Sequence, residues 1–181
     1  VFRAGAQTPF FAFRGDDPLI GPVLADGTNT RLSAQGHYYN GAFGLLGEHV
    51  LSSQHVRRGT NATTIDNTSW QVAGSWVVTG EAPSYRGVVP RTRFDLDGNT
   101  WAAVVLTARY ASLDVDSDVF PVFANPATAA RGAHAWTAGV NWFLNTGVKL
   151  QVNFERTTFE AAGATRRRGA NDLLTRLQLA F

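Results

Sequence analysis

Two residue types that mark many kinds of protein site are missing from this 181-residue chain, which has no cysteine and no methionine. Without cysteine the chain can form no disulfide, no thiol nucleophile and no cysteine-ligated metal centre. Lys149 is the only lysine, so arginine supplies nearly all the positive charge, and the formal net charge is only +2. So small a bias gives no reason to expect nucleic-acid binding, which requires clustered positive charge.

Long apolar runs and helical periodicity are also missing. No stretch approaches the ~20 apolar residues that a transmembrane helix requires. The amino terminus, Val1-Phe2-Arg3, has none of the regions of a signal peptide. If the protein is exported, we expect that the signal has been removed or that the chain begins inside a longer protein.

The clearest pattern that is present lies in residues 135–181, where apolar and polar side chains alternate. The segments 135–144, 148–155 and 173–181 each show it. Strict alternation predicts a sheet with one apolar and one polar face. The chain ends on Phe181, and outer-membrane barrels often end on such an aromatic residue, which their assembly machinery is thought to recognise. We therefore predict a transmembrane antiparallel β-barrel and an interaction of Phe181 with that machinery.

Eight candidate strands can be assigned along the chain, the first of them interrupted by glycine and proline. They cover residues 2–13, 31–40, 43–53, 69–79, 101–115, 135–144, 148–155 and 173–181. The sequences Asn40-Gly41 and Asn145-Thr146-Gly147 predict tight turns, with Gly147 at a positive φ.

The connections between these strands alternate in length, as they do when strands cross a membrane between short periplasmic turns and long external loops. Four long polar links are predicted, at 14–30, 55–68, 116–133 and 160–171. The link 81–100 breaks the alternation because it is long where a short turn is expected. It either folds back into the lumen or hides a strand.

Four tryptophans form two pairs with the same spacing. Trp70 and Trp76 share one strand face, as do Trp136 and Trp142. Six residues of strand span roughly 20 Å, somewhat less than the ~25 Å between the aromatic girdles of a membrane barrel. We predict these four residues and Phe181 as membrane-interface aromatics. Core packing in a soluble β-sandwich is the alternative.

Seven short segments together resemble a known family, the phosphate-selective porins O and P. The resemblance runs from about residue 31 to the end of the chain. Its segments are 31–33 (RLS), 37–48 (HYYNGAFGLLGE), 76–81 (WVVTGE), 108–110 with 113–114 (ARY, LD), and 139–142 with 148–150 (GVNW, VKL).

The resemblance implies a porin of the Gram-negative outer membrane that passes small anions, phosphate in particular. It further implies a homotrimer of barrels with about sixteen strands each. Residues 1–181 would then be a single barrel domain, the carboxyl-terminal part of a longer barrel. No phosphate site can be carried over residue by residue, and the single lysine departs from the lysine-rich pore mouths of phosphate-selective members.

Alternation places a set of polar and charged residues on the face opposite the tryptophans. These pore-lining candidates are Arg109, Lys149, Arg176, Glu48, Glu155, Gln151, Asn153 and Gln178. The three cations are the candidates for attracting anions. An equally good interpretation is that they pair with the two carboxylates in a structural network. Arg166-Arg167-Arg168, in a predicted external loop, is either a solvated charge run or a contact for the phosphates of lipopolysaccharide in the bilayer.

Catalytic motifs are not found, so we predict no enzyme, no catalytic residue, no metal site and no cofactor. The four histidines, His37, His49, His55 and His134, lack metal-binding spacing. Asp114, Asp116 and Asp118 alternate at a strand end but lack the pattern of a calcium loop. Two alternatives to the porin remain at this point: a small eight-stranded structural or partner-binding outer-membrane barrel without conductance, and a soluble β-sandwich or lipocalin-like binder.

Overall fold

The fold is all-β in the computed structural model, which describes residues 1–15, 17–164 and 167–180. Within these ranges there is no α-helix, and so no helix that could span a membrane. Two short 3₁₀ turns occur, at Gly5–Gln7 and Ser117–Val119. The nine strands are β1 Phe2–Arg3, β2 Pro9–Phe11, β3 Leu24–Asn40, β4 Phe43–Arg58, β5 Asn61–Val77, β6 Ala103–Asp114, β7 Ala130–Phe143, β8 Val148–Ala161 and β9 Ala170–Leu179.

Strands β3 to β9 form one sheet in which every strand pairs antiparallel with its neighbours in the chain. Such an up-and-down order is the simplest way to build a barrel wall. Among the described strands β3 pairs only with β4 and β9 only with β8, so the sheet is open. The antiparallel all-β prediction is confirmed, with seven strands in the wall instead of eight.

The predicted first strand, 2–13, is not part of the wall. It contains a small separate hairpin, β1 and β2, in which Phe2 pairs with Phe11 around the Gly5–Gln7 turn. The physical reason is the pair of breakers recognised in the sequence: glycine favours a turn, and proline lacks the N–H that a central strand needs.

Three predicted connections also differ from the structure: 14–30, 55–68 and 116–133, the last because β7 already starts at Ala130. The link predicted at 55–68 is mostly strand, because β4 runs to Arg58 and β5 starts at Asn61 around the turn 59–60. Its asparagines and threonines were mistaken for loop residues, although threonine is a good strand former. Similarly, β3 starts at Leu24, inside the predicted link 14–30.

The long link near 81–100 is real and covers residues 78–102. It folds back over the sheet, where Val88 joins the buried side chains of Val77, Ala103 and Val105. Of the two interpretations that the sequence left open, the structure selects the folded-back connection.

Glycine serves two different needs in the tight turns. Gly41 has φ of 56°, as the hairpin signal predicts. Gly147 is not among the positive-φ glycines, so that prediction is wrong. A Cβ at Gly147 would lie 2.7 Å from the backbone oxygen of Ala180, so glycine is needed there because two backbones approach closely.

The two faces of the sheet follow the register. One cross-strand row, Leu106–Val140–Val152, is apolar, and the adjacent row of the opposite parity, Val105–Asn141–Gln151, is largely polar. We call the face with Leu106, Trp136 and Phe154 the outer face and the face with Arg109 and Glu155 the inner face. The exposed large apolar side chains of β4 to β8 lie on the outer face, as the alternation predicts.

Candidate pore-lining face

The eight pore-lining candidates all lie on the inner face. Gln151, Asn153 and Glu155 follow each other at every second position of β8, and Arg176 and Gln178 do so on β9. Register places Arg176 opposite Gln151, and Gln178 opposite Lys149. The same parity adds further polar residues that the sequence analysis did not single out, among them Arg31, Thr137, Asn141 and Asp172.

Arg109 and Glu155 form an ion pair across β6, β7 and β8. The guanidinium Nη2 donates to Glu155 Oε2 at 3.0 Å, and the Thr137 hydroxyl donates to the same oxygen at 2.9 Å. The Glu155 side chain is 6% exposed and that of Arg109 is 43% exposed. Removal of either partner would leave a charge unpaired, which is costly for the buried carboxylate.

The other carboxylate of the set, Glu48, is held by neutral donors. Its oxygens accept the Ser33 hydroxyl at 2.8 Å and the Gln71 amide at 2.7 Å. Gln151 likewise donates to Asn141 Oδ1 at 2.6 Å. Polar side-chain hydrogen bonds thus connect many residues of the inner face. Among the described residues, Arg109 is the one cation of the three candidates that pairs with a carboxylate, as the structural network proposed from the sequence requires.

Lys149 and Arg176 lie on the same face but are not paired with any of its described carboxylates. Among the described residues neither cation makes a salt bridge. The Lys149 ammonium lies 5.2 Å from the centre of the Phe143 ring. Lys149 borders a cavity of about 490 Å³ between the inner face and the connection 78–102. An anion in that space would meet the Lys149 ammonium, whereas the Glu155 carboxylate that also borders the cavity is paired with Arg109.

Residues 1–13 and 115–129 pack on the inner face at the opposite end of the sheet, and we call them the inner plug. They form an apolar cluster with Val56, Ile65 and Ala133 of the wall. Phe11 is in edge contact with Phe120, with ring centres 6.3 Å apart. The inner plug therefore fills part of the space that the sheet faces, an arrangement that the sequence did not predict.

Two arginines attach the inner plug to the wall. Arg167 donates to the carbonyls of Thr128 at 3.0 Å, Phe10 at 3.2 Å and Pro9, and it stacks 5.2 Å from the centre of the Phe159 ring. The interpretation of the arginine run as solvated is therefore wrong at Arg167, while Arg166 lies outside the described residues.

Arg58, whose side chain is buried, is the second attachment. It donates to the backbone oxygens of Gly21 at 3.2 Å and Val122 at 3.0 Å and lies 3.5 Å from Asp17. The pKa of Asp17 is lowered from its ordinary value, chiefly by the backbone N–H of Leu19, with further lowering by Arg58. This carboxylate is therefore ionised near neutral pH and available to Arg58.

Two carboxylates meet beneath the inner plug. Glu155 and Asp172 are directly opposite each other on β8 and β9. Asp172 Oδ2 is buried and has no hydrogen-bond partner within the described ranges. Gly5 packs so closely that a Cβ there would overlap the Glu155 carboxylate. The plug thus lies directly on the charged part of the inner face.

The four tryptophans lie on the outer face in two groups. Trp70 and Trp136 flank Tyr110, with ring centres 5.2 and 4.5 Å from it. Nearer the other end of the sheet, Trp76 stacks on Phe43 and Trp142 donates to the backbone oxygen of Trp101. Phe181, the fifth predicted interface aromatic, lies outside the described residues.

Two of the residues considered as ligands, Asp116 and His134, are engaged in other contacts. Asp116 accepts the backbone N–H groups of Asp66 at 2.8 Å and Asp118 at 2.9 Å, and so caps a 3₁₀ turn. His134 is hydrogen-bonded to Ser112 and Glu160. No group of three metal-ligating side chains occurs within the described ranges.

The comparison with known proteins covers the whole sheet. A family model described as phosphate-selective porin O and P matches residues 19–181, and no curated protein matches the chain. The match includes β3 to β9, the connection 78–102 and residues 115–129, and it excludes the β1–β2 hairpin. With its antiparallel wall, apolar outer face and polar inner face, the chain belongs to the phosphate-selective porin O and P family.

Proposed function

We propose that this protein is an outer-membrane porin through which small anions, and phosphate-type oxyanions in particular, diffuse passively. The observation that carries the proposal is the position of Lys149 and Arg176 on the inner face with no ion pair to a described residue. Rings of side-chain charge set the selectivity of such pores, and a guanidinium can bind an oxyanion through two hydrogen bonds. Family membership supports a channel role and gives no support to an enzymatic one.

The outer face supports the membrane part of the proposal. Its exposed apolar residues would contact lipid, with aromatic residues near both borders of the band. The free edges of β3 and β9 could not remain unpaired in hydrocarbon, since each unsatisfied backbone group costs several kcal/mol there. We propose that further strands pair with both edges, to about sixteen in all, and that three barrels form a homotrimer. Native mass spectrometry of detergent-extracted protein measures the trimer directly.

Ion selectivity in planar bilayers tests the pore. Under a KCl gradient the reversal potential of the wild-type protein should indicate preference for chloride, and added phosphate should compete with the chloride current. Lys149→Gln with Arg176→Gln should move the reversal potential toward cation preference. Arg156→Gln is the matched control, because it removes the same kind of charge from the outer face. Equal reversal potentials for all three proteins would refute the assignment of Lys149 and Arg176.

A small structural barrel without conductance is the second candidate. The inner plug favours it, because an apolar cluster on the inner face is what a filled interior would contain. Absence of current from protein that inserts into bilayers as a folded barrel would select this alternative.

In either case we propose that the assembly machinery recognises Phe181. Its deletion should lower the amount of folded protein in the outer membrane.

A further inference from the structure

The outer face of β6 to β9 changes from apolar to polar in one direction along the strands. The register defines five successive rows, two residues apart. They are Leu106–Val140–Val152–Thr175, Ala108–Ala138–Phe154–Leu173, Tyr110–Trp136–Arg156–Asn171, Ser112–His134–Thr158 and Asp114–Gly132–Glu160. The third row mixes aromatic and polar side chains, as expected where a bilayer meets its headgroups. This row marks the border of the apolar band.

Arg156 lies in this border row, opposite the exposed Trp136. It forms no ion pair with a described residue. An arginine facing lipid costs about 2–4 kcal/mol at the bilayer midplane and about 0–1 near the interface. Its place beside tryptophan is therefore compatible with a membrane only at the headgroup level, where phosphate groups can accept its hydrogen bonds.

A second arginine, Arg131 of β7, lies farther along the strands. It is just beyond the fifth row, which is roughly 13 Å from the border row at ~3.3 Å per residue. Arg131 donates its Nε to Glu160 Oε2 at 3.0 Å, and its side chain is 64% exposed. Among the described contacts the two Nη groups of Arg131 have no acceptor. The other oxygen of Glu160 lies 3.1 Å from His134 Nε2. Both carboxylate oxygens are thus occupied, and the Nη groups of Arg131 belong to a side chain that is largely exposed.

We propose that Arg156 and Arg131 bind phosphate groups on the headgroup of a phosphorylated glycolipid in the outer leaflet. This site rests on the outer-membrane location under the proposed function but not on conductance. Arg156 supplies donors at the edge of the apolar band, and Trp136 packs beside the lipid there. Arg131, on the neighbouring strand, adds donors nearer the connections 115–129 and 162–169. The inner-face cations that we assign to permeation take no part.

Binding of lipid A to the intact, detergent-solubilised protein tests the site. Native mass spectrometry should show lipid A binding to the wild-type protein more tightly than its dephosphorylated form. Arg131→Gln with Arg156→Gln should weaken lipid A binding at least about tenfold, because each guanidinium–phosphate contact is charge-assisted. Arg93→Gln, which removes an exposed arginine at the other end of the sheet, should bind as the wild type does.

Further measurements distinguish a lipid phosphate from a free phosphate ion, and a loss of lipid binding from a folding defect. Inorganic phosphate at millimolar concentration should not displace lipid A; displacement would overturn the lipid assignment in favour of a free-anion site. Arg156→Lys, which keeps the charge, should retain most of the binding. If the double variant fails to fold, the comparison of lipid A with its dephosphorylated form on the wild-type protein decides.

Equal binding of the phosphorylated and dephosphorylated lipids would refute the site, as would wild-type affinity in the folded double variant. Failure here and failure of the pore are distinguishable. If the protein conducts anions but binds the phosphorylated and dephosphorylated lipids equally, only the headgroup site is refuted. If it binds lipid A through these arginines but does not conduct, only the pore is refuted.

Discussion

Arg167 should control how firmly the inner plug is held against the wall. Its guanidinium donates to carbonyls of Pro9, Phe10 and Thr128 and stacks on Phe159, so it joins three separate segments. The change to test is Arg167→Ala, which removes all of these contacts. Arg168→Ala is the matched control, because Arg168 carries the same charge in the same connection and is exposed.

The size of the effect follows from the contacts. A hydrogen bond with a charged donor contributes about 1.5–3 kcal/mol when well buried, and a cation–π contact about 0.5–1 kcal/mol. Because Arg167 is only half-buried, we count about 1 kcal/mol for each of its hydrogen bonds to Thr128 and Phe10, at 3.0 and 3.2 Å. With the cation–π contact, Arg167→Ala should lower the free energy that holds the plug on the wall by about 2–4 kcal/mol. Since 1.4 kcal/mol is a factor of ten, local opening should become about 30 to 700 times more frequent.

Amide hydrogen exchange measures that opening directly. In the wild type the Ala4 amide is bonded to Thr8 and the Arg14 amide to Phe123. Amides in peptides from residues 1–14 should therefore exchange faster in Arg167→Ala than in the wild type. In Arg168→Ala their exchange rates should equal those of the wild type. If the plug narrows a lumen, single-channel current should also rise. Equal exchange in the two variants would refute the anchoring role of Arg167.

Three further substitutions probe the inner face and the turns. Glu155→Gln should leave Arg109 unpaired, shift the reversal potential toward anions and cost about 1–3 kcal/mol of stability, seen as a lower unfolding midpoint. Glu81, which is buried and accepts the Thr79 hydroxyl, holds the connection 78–102; Glu81→Gln should make that connection more sensitive to protease. Gly147→Ala should cost about 1–3 kcal/mol, because the new methyl group would meet a backbone oxygen.

Each of these has a control that leaves the critical contact intact. Glu48→Gln also removes a carboxylate from the inner face, but its donors are neutral, so it should cost less stability than Glu155→Gln. Asp97→Asn changes an exposed residue of the connection 78–102 and should not affect proteolysis. Gly36→Ala places a methyl group in open space and should be tolerated. Equal effects in a variant and its control would contradict the corresponding explanation.

The wall was predictable from the sequence to the extent that it depends on local alternation. Asn40-Gly41 marked the first wall hairpin correctly, and the segment from Trp136 to Trp142 gave the right face for every residue. The predicted strand boundaries are wrong where they were based on residue composition and not on the alternation of apolar and polar residues. The Asn- and Thr-rich stretch at 59–68 reads as a loop by composition, yet it continues β5, because a hairpin can extend beyond the wall with polar residues on both faces.

Side-chain pairing on the inner face was predictable only as a set of possibilities. The sequence offered Arg109, Lys149 and Arg176 as partners for Glu48 and Glu155. Which of them pair depends on the register between β6, β7 and β8, since Arg109 reaches Glu155 across Thr137. A shift of two residues would separate Arg109 from Glu155, and no local pattern encodes the register.

The sequence by itself determined the class of fold, the two faces of the wall and the family, because a period of two residues and short family segments are properties of neighbours in the chain. The tertiary structure alone decided that residues 1–13 pack against the wall, that Arg167 holds them there and that 78–102 folds back over the inner face. Those features depend on contacts between residues far apart in sequence. Their stability comes from apolar burial and from backbone carbonyls that meet a guanidinium only after folding.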